Sequence, residues 1–294
     1  HNNNDNIEGL KMYIRLECPS GGCDPWDRFA NILVKNSNTN QWYEMARHIT
    51  PYGVGNSQLT RGLQVDVTDF KSLLSGNVEL KIYAETWVGS GWVISLEFDY
   101  LAGNPDYKYY QITPVIQFNR NSLSGVPYGG ENGNTQLDKE KFDLTKTISV
   151  GSNIKSAHFR TIISGWGHAT PADSDGRACA EWCFRTHKIK INNVDKFSHY
   201  MGPIGCGNNP ISNQGGNWAP DRAGWCPGMV VPLRLDKFDT DVSNTDFNFE
   251  YYFQPWTNNF VGTPGYNNKN AYNAISTFIV LKSDQEIEPA TISN

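Results

Sequence analysis

The chain has 294 residues, a formal net charge of −5 and a pI near 5.7, with 19% charged and 13% aromatic residues. This length is enough for one large domain or two ordinary ones, each with a hydrophobic core. The acidic balance excludes binding of nucleic acid through bulk positive charge, because phosphate neutralisation needs clustered Lys and Arg. No apolar run approaches the roughly 18 residues of a membrane span. We therefore expect neither a nucleic-acid nor a membrane partner.

Alternation of apolar and polar residues predicts β-strands along the whole chain. In 10–18, four apolar side chains alternate with polar ones, as expected for a strand with one buried face. The other predicted strands are 30–35, 42–49, 63–67, 78–87, 92–101, 109–118, 158–164, 184–192, 228–235, 247–253 and 274–282. Only 69–75 is predicted to form a helical turn. The Gly/Asn-rich stretches 121–135 and 257–270 are predicted loops.

About a dozen strands with almost no helix predict an all-β fold of sandwiches or jelly rolls. The segment 102–106, with the sequence Ala-Gly-Asn-Pro-Asp, is the predicted domain break. This break would separate an N-terminal jelly-roll domain, residues 1–104, from a larger C-terminal one, residues 109–294.

Six cysteines predict disulfide bonds and export from the cytoplasm. We expect each to pair with its neighbour in sequence, as Cys18–Cys23, Cys179–Cys183 and Cys206–Cys226. The alternative is zinc, because the two close pairs could each give two thiolates. No His lies at ligand spacing beside either close pair, so we predict no metal and no cofactor.

Tryptophans and carboxylates are concentrated in three segments that are candidates for a functional site. These are 18–28 and 179–187, which also carry cysteines, and 85–87. Indole faces stack on sugar rings, and carboxylates accept hydrogen bonds from sugar hydroxyls. A carboxylate can also activate water for hydrolysis. The combination points to a carbohydrate ligand.

Each of these residues also has a structural interpretation. A Trp beside a disulfide is equally often a packing residue, and neighbours such as Asp27–Arg28 or Asp221–Arg222 are more often salt bridges. The sequence contains no Gly-x-Ser-x-Gly elbow, Walker loop or His-Glu-x-x-His motif. The sequence therefore does not support the function of a serine hydrolase, a nucleoside triphosphatase or a zinc protease with these motifs.

At these segments the sequence resembles the peptide-N-glycosidase F family, bacterial secreted amidases that release N-glycans. The matching strings cover nearly the whole chain and include Trp-Asp-Arg at 26–28, Ile-Thr-Pro-Tyr at 49–52, Glu-Thr-Trp at 85–87, Ile-Ser-Gly-Trp-Gly-His at 163–168, Cys-Ala-Glu-Trp-Cys-Phe-Arg-Thr-His at 179–187 and Asn-Trp-Ala-Pro-Asp-Arg-Ala-Gly-Trp-Cys-Pro-Gly at 217–228. The resemblance implies two adjacent antiparallel jelly rolls, a cleft where they meet, and the cysteine pairing given above.

The resemblance also implies a reaction, which is metal-independent hydrolysis of the amide that joins Asn to the first N-acetylglucosamine. It implies that Asp27 is the catalytic residue, with Glu181 and Glu85 as supporting carboxylates. We place Asp27 on the scissile amide, Glu181 on the attacking water and Glu85 on the first sugar. The implied substrate-binding residues are Trp26, Arg28, Trp87, Trp166, His168, Trp182, Arg222 and Trp225.

The expected partners are N-linked glycoproteins and glycopeptides with their chitobiose core, and the expected form is a monomer secreted by a bacterium. The alternatives are a non-catalytic glycan-binding lectin and an endoglycosidase that uses two carboxylates across a glycosidic bond. The chain departs from the family at Gly53, where relatives carry Trp after Ile-Thr-Pro-Tyr. Loss of that indole predicts a change in which decorated glycans fit, unless the glycine serves a backbone turn.

Overall fold

A computed structural model describes residues 6–89, 91–117, 126–127, 144–169, 179–254 and 272–294. Its strands are β1 (Ile7–Glu17), β2 (Phe29–Asn36), β3 (Gln41–Ile49), β4 (Leu63–Asp66), β5 (Leu80–Ala84), β6 (Val93–Ala102), β7 (Tyr109–Ile116), β8 (Val126–Pro127), β9 (Thr145–Val150), β10 (Ser156–Trp166), β11 (His168–Ala169), β12 (Cys179–Ala180), β13 (Arg185–Ile191), β14 (Val194–Met201), β15 (Arg234–Lys237), β16 (Thr245–Tyr252), β17 (Tyr272–Ser283) and β18 (Thr291–Ser293). Single 3₁₀ turns lie at Thr68–Phe70 and Cys206–Asn208. Among the described residues, no helix is long and apolar enough to cross a membrane.

The N-terminal half consists of two three-stranded antiparallel sheets, ordered β4-β1-β6 and β3-β2-β5. Alternation in β1 directs Leu10, Met12 and Ile14 into a core that also contains Ile32 and Val34 of β2. All five side chains are fully buried. The alternation of apolar and polar residues in the sequence therefore arises because each sheet of the N-terminal half has one buried face.

The C-terminal half consists of two larger antiparallel sheets, ordered β15-β10-β17-β7, with β8 also paired to β17, and β14-β13-β16-β9-β18. Its core includes Phe159 of β10, Ile189 of β13, Phe249 of β16 and Ile279 of β17. The all-β fold class is confirmed, with two layers of sheet in each half.

Strands β10 and β17 are buried on both faces because they lie between the two halves. Every residue of β10 from 157 to 165 is buried. Phe278 and Val280 of β17 belong to the core of the N-terminal half, whereas Ile279 and Leu281 belong to that of the C-terminal half. The two halves thus share a wall formed by these strands.

A buried ion pair on β3 is hydrogen-bonded to this wall. Arg47 of β3 is fully buried, and its Nη2 lies 2.7 Å from Glu44 Oε2. Arg47 Nη1 donates to Ser164 Oγ of β10 at 2.9 Å and to the Ala274 carbonyl of β17 at 2.6 Å. Ser276 Oγ of β17 donates to Glu44 Oε2. Both charges are therefore satisfied by groups from the opposite half as well as by each other.

A second buried cluster is centred on Asp69 in the first 3₁₀ turn. Its Oδ2 lies 3.0 Å from His158 Nε2 and 3.3 Å from Arg160 Nη1, both on β10. Its Oδ1 lies 3.5 Å from Lys282 Nζ on β17. Although burial alone would raise the pKa of Asp69, His158, Arg160 and Lys282 hold it well below its usual value. Asp69 is therefore a carboxylate that holds two strands of the other half.

The structure departs from the predicted elements in several places. The predicted strand 228–235 is wrong over most of its length, because β15 begins only at Arg234 and Val230 forms an isolated bridge with His48. Pro232 has no N–H for a ladder, which favours an irregular segment. Strands β9, β14 and β18 were not predicted. The helical turn covers 68–70 rather than 69–75.

Two sequence-based assignments stay predictions. The predicted loops 121–135 and 257–270 lie outside the described residues, except for β8. Strand β6 ends at Ala102 and β7 begins at Tyr109, so no described strand crosses the predicted break at 102–106. The division into domains at 1–104 and 109–294 itself remains a prediction.

The Asp69 cluster yields a stability prediction. Asp69→Asn removes the anion opposite the buried guanidinium of Arg160, so we expect the free energy of unfolding to fall by about 3 kcal/mol or more. The matched control is Asp195→Asn, which breaks an exposed pair with Lys188 and should leave the free energy of unfolding almost unchanged. Urea unfolding measures both. Equal losses in the two variants would contradict the role of Asp69.

Candidate active site

Two carboxylates from opposite halves of the protein meet at one buried arginine. Asp27 precedes β2, Glu181 follows β12, and Arg222 lies in the long segment between β14 and β15. Arg222 Nη2 is 3.5 Å from Asp27 Oδ2, and Arg222 Nε is 3.6 Å from Glu181 Oε1. The carboxylates are mostly buried, with 14% and 15% of their side chains exposed. The fold thus brings together Asp27 and Glu181, as the sequence predicted.

Arg222 is fixed by the loop that carries it. Its guanidinium donates to the carbonyl oxygens of Asn217 at 2.6 Å and Pro220 at 2.8 Å, and it lies 4.5 Å from the ring of Trp182. The side chain is fully buried. Arg222 contacts the two carboxylates and has no exposed surface in this structure, so its direct contact with substrate stays a prediction.

The same loop is rigid although it contains little regular structure. Asp221 Oδ1 accepts hydrogen bonds from three consecutive backbone N–H groups, those of Ile204 at 3.1 Å, Gly205 at 2.7 Å and Cys206 at 2.9 Å. The Cys206–Cys226 disulfide ties its two ends. Asp221 thus binds backbone N–H groups of the loop, whereas its neighbour Arg222 lies against the two carboxylates.

Asp27 is unusually basic for a carboxyl group. Burial and the negative charge of Glu181 raise the pKa of Asp27 to about 6, although Arg222 and a hydrogen bond from Tyr52 oppose the shift. Its buried Oδ2 has no hydrogen-bond partner among the described residues, and neither has Nε of Arg222. A pKa near 6 suits a group that exchanges protons near neutral pH.

Tyr52 is a site residue that sequence reasoning did not single out. Its hydroxyl accepts a hydrogen bond from Arg222 Nη2 at 3.0 Å and is hydrogen-bonded to Asp27. Burial and the charge of Asp27 raise the pKa of Tyr52 well above its usual value, so it stays protonated. The loop packs tightly on its ring, since a Cβ on Gly216 would lie 2.2 Å from Tyr52 Cδ1. The only signal in the sequence was its place in the matched string 49–52.

The exposed aromatic side chains lie beside these charges. Trp87 is 76% exposed and Trp26 is 57% exposed. The guanidinium of Arg28 lies 4.1 Å from the Trp87 ring, and Trp87 Nε1 donates to Glu85 Oε1 at 3.2 Å. Because Trp26 and Arg28 flank Asp27 in the chain, this surface adjoins the carboxylate pair. We call Trp26, Trp87, Glu85 and Arg28 the platform.

The other predicted aromatic residues differ in exposure. Trp166 is partly buried and stacks on Trp225 with 4.6 Å between ring centroids. Trp225 is fully buried, and its Nε1 donates to the Gly165 carbonyl at 2.7 Å. Only Trp166 of the pair reaches solvent, and contact of Trp225 with substrate stays a prediction. The backbone of His168 pairs with Ala180, but its side chain lies outside the described part of the structure.

The cysteines form disulfides rather than thiolate sites. The predicted pairs Cys18–Cys23 and Cys206–Cys226 are confirmed. Cys183 is also disulfide-bonded, while the side chain of Cys179 lies outside the described residues. Among described side chains, one group has the spacing of a metal site, formed by Cys206, Asp221 and Cys226. Its sulfur atoms bond each other, so it offers no thiolate.

Gly53 has a backbone reason to be glycine. Its φ is +68°, in the left-handed region that side chains disfavour. A Cβ there would meet only the Pro25 Cα at 3.7 Å, so the space beside it is open. Both interpretations of Gly53 therefore have a structural basis, and the prediction about decorated glycans remains a prediction.

Comparison with known proteins gives consistent matches. Family models described as peptide-N-glycosidase F, N terminal, and peptide-N-glycosidase F, C terminal, match residues 27–100 and 132–280. A peptide-N(4)-(N-acetyl-β-D-glucosaminyl)asparagine amidase F from Elizabethkingia miricola is 52% identical over 289 residues, covering 98% of this chain and 78% of that protein.

Solved structures agree. PNGase F, a glycosylasparaginase from Flavobacterium meningosepticum, superposes with a TM-score of 0.90 at 52% identity, covering 99% of this chain and 89% of the other. PNGF-II superposes with a TM-score of 0.68 at 15% identity, covering 96% of this chain and 58% of the other. The second match concerns the fold alone.

The raised pKa of Asp27 yields a prediction on stability. The native state holds the Asp27 proton more tightly than the unfolded chain, whose pKa is near 3.8. Stability is therefore lost as the pH rises from about 4 through about 6, by about 3 kcal/mol. Asp27→Asn removes this cost, so the variant should be more stable than wild type at pH 8 and similar at pH 4.

Urea unfolding of both proteins at the two pH values checks this. Asp195→Asn is the control, because its carboxylate is exposed and its loss should give no stabilisation at pH 8. An Asp27→Asn variant less stable than wild type at pH 8 would contradict the assignment.

Proposed function

Because the chain belongs to the peptide-N-glycosidase F family, we propose that it hydrolyses the side-chain amide between asparagine and the first N-acetylglucosamine of N-linked glycans. The products are aspartate in the peptide and a glycosylamine, which then loses ammonia. The observation that supports this most directly is the placement of Asp27 and Glu181 within 3.6 Å of one buried Arg222.

Asp27 and Glu181 divide the proton transfers. Glu181 orients a water molecule, and Asp27 faces the scissile amide through its unpaired Oδ2. As the water oxygen bonds to the amide carbon, its proton passes to the Asp27 carboxylate. As the carbon–nitrogen bond breaks, the same proton passes to the leaving nitrogen. The negative charge of Glu181 raises the proton affinity of Asp27, which makes Asp27 an effective base.

Arg222 and Tyr52 keep this pair in its reactive form. The buried guanidinium offsets two adjacent negative charges, which would otherwise repel each other. It also provides fixed positive charge beside the oxygen that becomes negative during attack on the carbonyl. The Tyr52 hydroxyl is hydrogen-bonded to Asp27, while the buried Oδ2 has no hydrogen-bond partner among the described residues.

The platform binds the sugars next to the scissile bond. Trp87 and Trp26 offer indole faces for the apolar side of a sugar ring, and Glu85 accepts hydrogen bonds from hydroxyls of the first sugar. Trp166 and Trp182 line the cleft, and we retain His168 as a predicted contact. The buried ring of Trp225 stacks on Trp166 and holds its orientation.

The proposed setting follows from the disulfides and the relatives. Disulfides persist in oxidising compartments, so we place the protein outside the cytoplasm of a bacterium, as a secreted monomer. Its proposed partners are N-linked glycoproteins and glycopeptides. The proposed chemistry needs no metal or other cofactor, because the named side chains supply each proton transfer.

One experiment separates this function from the two alternatives. A defined glycopeptide is incubated with the protein, and the peptide is then weighed by mass spectrometry. We expect loss of the entire glycan with conversion of Asn to Asp. A residual N-acetylglucosamine on Asn would indicate an endoglycosidase, and an unchanged mass would indicate a lectin. Either result would overturn the proposed function.

Asp27→Asn should abolish turnover while the protein folds. Asn keeps the shape of the side chain but cannot accept the proton that Asp27 carries. The measurement is the rate of glycopeptide conversion by pure protein, with Asp195→Asn as a control that should keep the wild-type rate. Retention of even about a tenth of the wild-type rate would remove Asp27 from the mechanism.

Two substitutions should move the pH dependence of kcat in opposite directions. Activity needs the Asp27 carboxylate, so it should rise through about pH 6. Tyr52→Phe removes a hydrogen bond that lowers the pKa of Asp27, so the rising limb should move to higher pH. Glu181→Gln removes a charge that raises this pKa, so the limb should move to lower pH.

The shifts are read from pH–rate profiles and not from the rates, which both substitutions reduce. Shifts of the same sign, or profiles that coincide with wild type, would show that Asp27 is not the titrating group.

A further inference from the structure

Asp24 lies in the connection between β1 and β2, residues 18–28, which also carries Asp27. It is fully buried. Its Oδ2 accepts hydrogen bonds from Arg28 Nε at 2.8 Å and from the Thr86 hydroxyl at 2.9 Å, and its Oδ1 accepts one from the Trp26 N–H at 2.9 Å. A carboxylate with three donors of this kind is strongly held.

These donors belong to separate segments of the active site. Trp26 and Arg28 flank Asp27, and Thr86 lies between Glu85 and Trp87. The Asp24 carbonyl oxygen also accepts a hydrogen bond from the N–H of Gly53 at 3.0 Å, directly after Tyr52. One residue therefore joins the catalytic segment 26–28, the platform segment 85–87 and the segment that ends in Tyr52.

We infer that Asp24 is a positioning residue that sets the location of the platform relative to the Asp27 carboxylate. The inference rests on the proposed function for its reaction but on the contacts above for its geometry. Through Arg28, Asp24 also fixes the guanidinium on which the Trp87 ring lies at 4.1 Å. The position of the platform relative to the Asp27 carboxylate is thus set by a group that need not touch the substrate.

The negative charge of Asp24 is needed for this arrangement. Burial raises the pKa of Asp24, but the hydrogen bonds from Arg28, Trp26 and Thr86 outweigh burial and hold the pKa below its usual value. Arg28 is 4% exposed, so its charge has little access to water. An amide at position 24 would turn an NH₂ group or a neutral oxygen toward this cation, which weakens the attachment of Arg28 and Thr86.

The backbone of Asp24 is itself fixed. Its N–H donates to the Gly91 carbonyl at 3.3 Å, and the preceding Cys23 is bonded to Cys18. The carboxylate is therefore a rigid point to which the more exposed segment 85–87 attaches. Thr86 attaches this segment to Asp24 through its side-chain hydroxyl, so its substitution tests positioning with little risk to folding.

The experiment compares three variants in the full chain. Thr86→Val has the same shape as threonine but cannot donate to Asp24 or to the Val88 carbonyl, its second acceptor at 3.1 Å. Asp24→Asn neutralises the carboxylate, and Asp69→Asn is a control for loss of a buried carboxylate at the other end of β10. For each, kcat and KM are measured with a defined glycopeptide. Calorimetry with the disaccharide N,N′-diacetylchitobiose measures sugar binding without turnover.

We expect Thr86→Val to raise KM and the chitobiose Kd by about tenfold with kcat near the wild-type value, as for one lost hydrogen bond. We expect Asp24→Asn to lower kcat by about a hundredfold as well, because Asp27 shifts against the amide. Asp69→Asn should lower the melting temperature and leave kcat, KM and Kd unchanged when assayed below it.

The inference is overturned if Thr86→Val leaves both KM and Kd at wild-type values, or if Asp24→Asn folds and keeps wild-type kcat. If Asp24→Asn fails to fold, Thr86→Val decides alone. Failure of the proposed function gives a different result, since wild type would then leave the peptide mass unchanged or leave one N-acetylglucosamine on Asn. The chitobiose Kd of Thr86→Val still tests the positioning in that case.

Discussion

The buried pair of Glu44 and Arg47 is the constraint on which the arrangement of the two halves depends. Both side chains belong to β3, yet their remaining hydrogen bonds go to Ser164, Ala274 and Ser276 on β10 and β17. Ser164 Oγ also accepts from Trp166 Nε1 at 3.1 Å, so the pair extends to the cleft. Since Asp27 and Glu181 come from opposite halves, they meet only where this wall holds the halves in register.

Buried charge is a costly way to join two sheets, and its value here is specificity. An apolar contact of similar area would permit several relative positions, whereas Arg47 makes directional hydrogen bonds to Glu44, Ser164 and Ala274. The Asp69 cluster adds stability to the same two strands, at the opposite end of β10 from Trp166.

The site itself combines rigidity with an unfavourable charge arrangement. Asp27 is buried and held next to Glu181. Burial and the repulsion between the two carboxylates both raise the pKa of Asp27. Arg222 makes the arrangement possible because its loop is closed by a disulfide and by the three hydrogen bonds to Asp221. The two adjacent carboxylates destabilise the folded state, whereas the disulfide and the hydrogen bonds of the loop stabilise it. Such local destabilisation is common at functional sites.

The sequence by itself determined the class of fold, the strands with one buried face, two of the disulfide pairs, and the identity of Asp27 and Glu181 as candidates. Regular alternation in β1 and matched motifs are local signals, which can be recognised without knowing which residues pack against them in the fold. Only the tertiary structure showed that β10 is buried on both faces, since His158, Arg160 and Ser164 look solvent-exposed in sequence. It also assigned Arg28 to Asp24 and Arg222 to the two carboxylates, although each arginine follows an aspartate. The reason is physical: partners of buried charges are chosen by the packing of distant strands and loops, and sequence neighbours in an extended chain point apart.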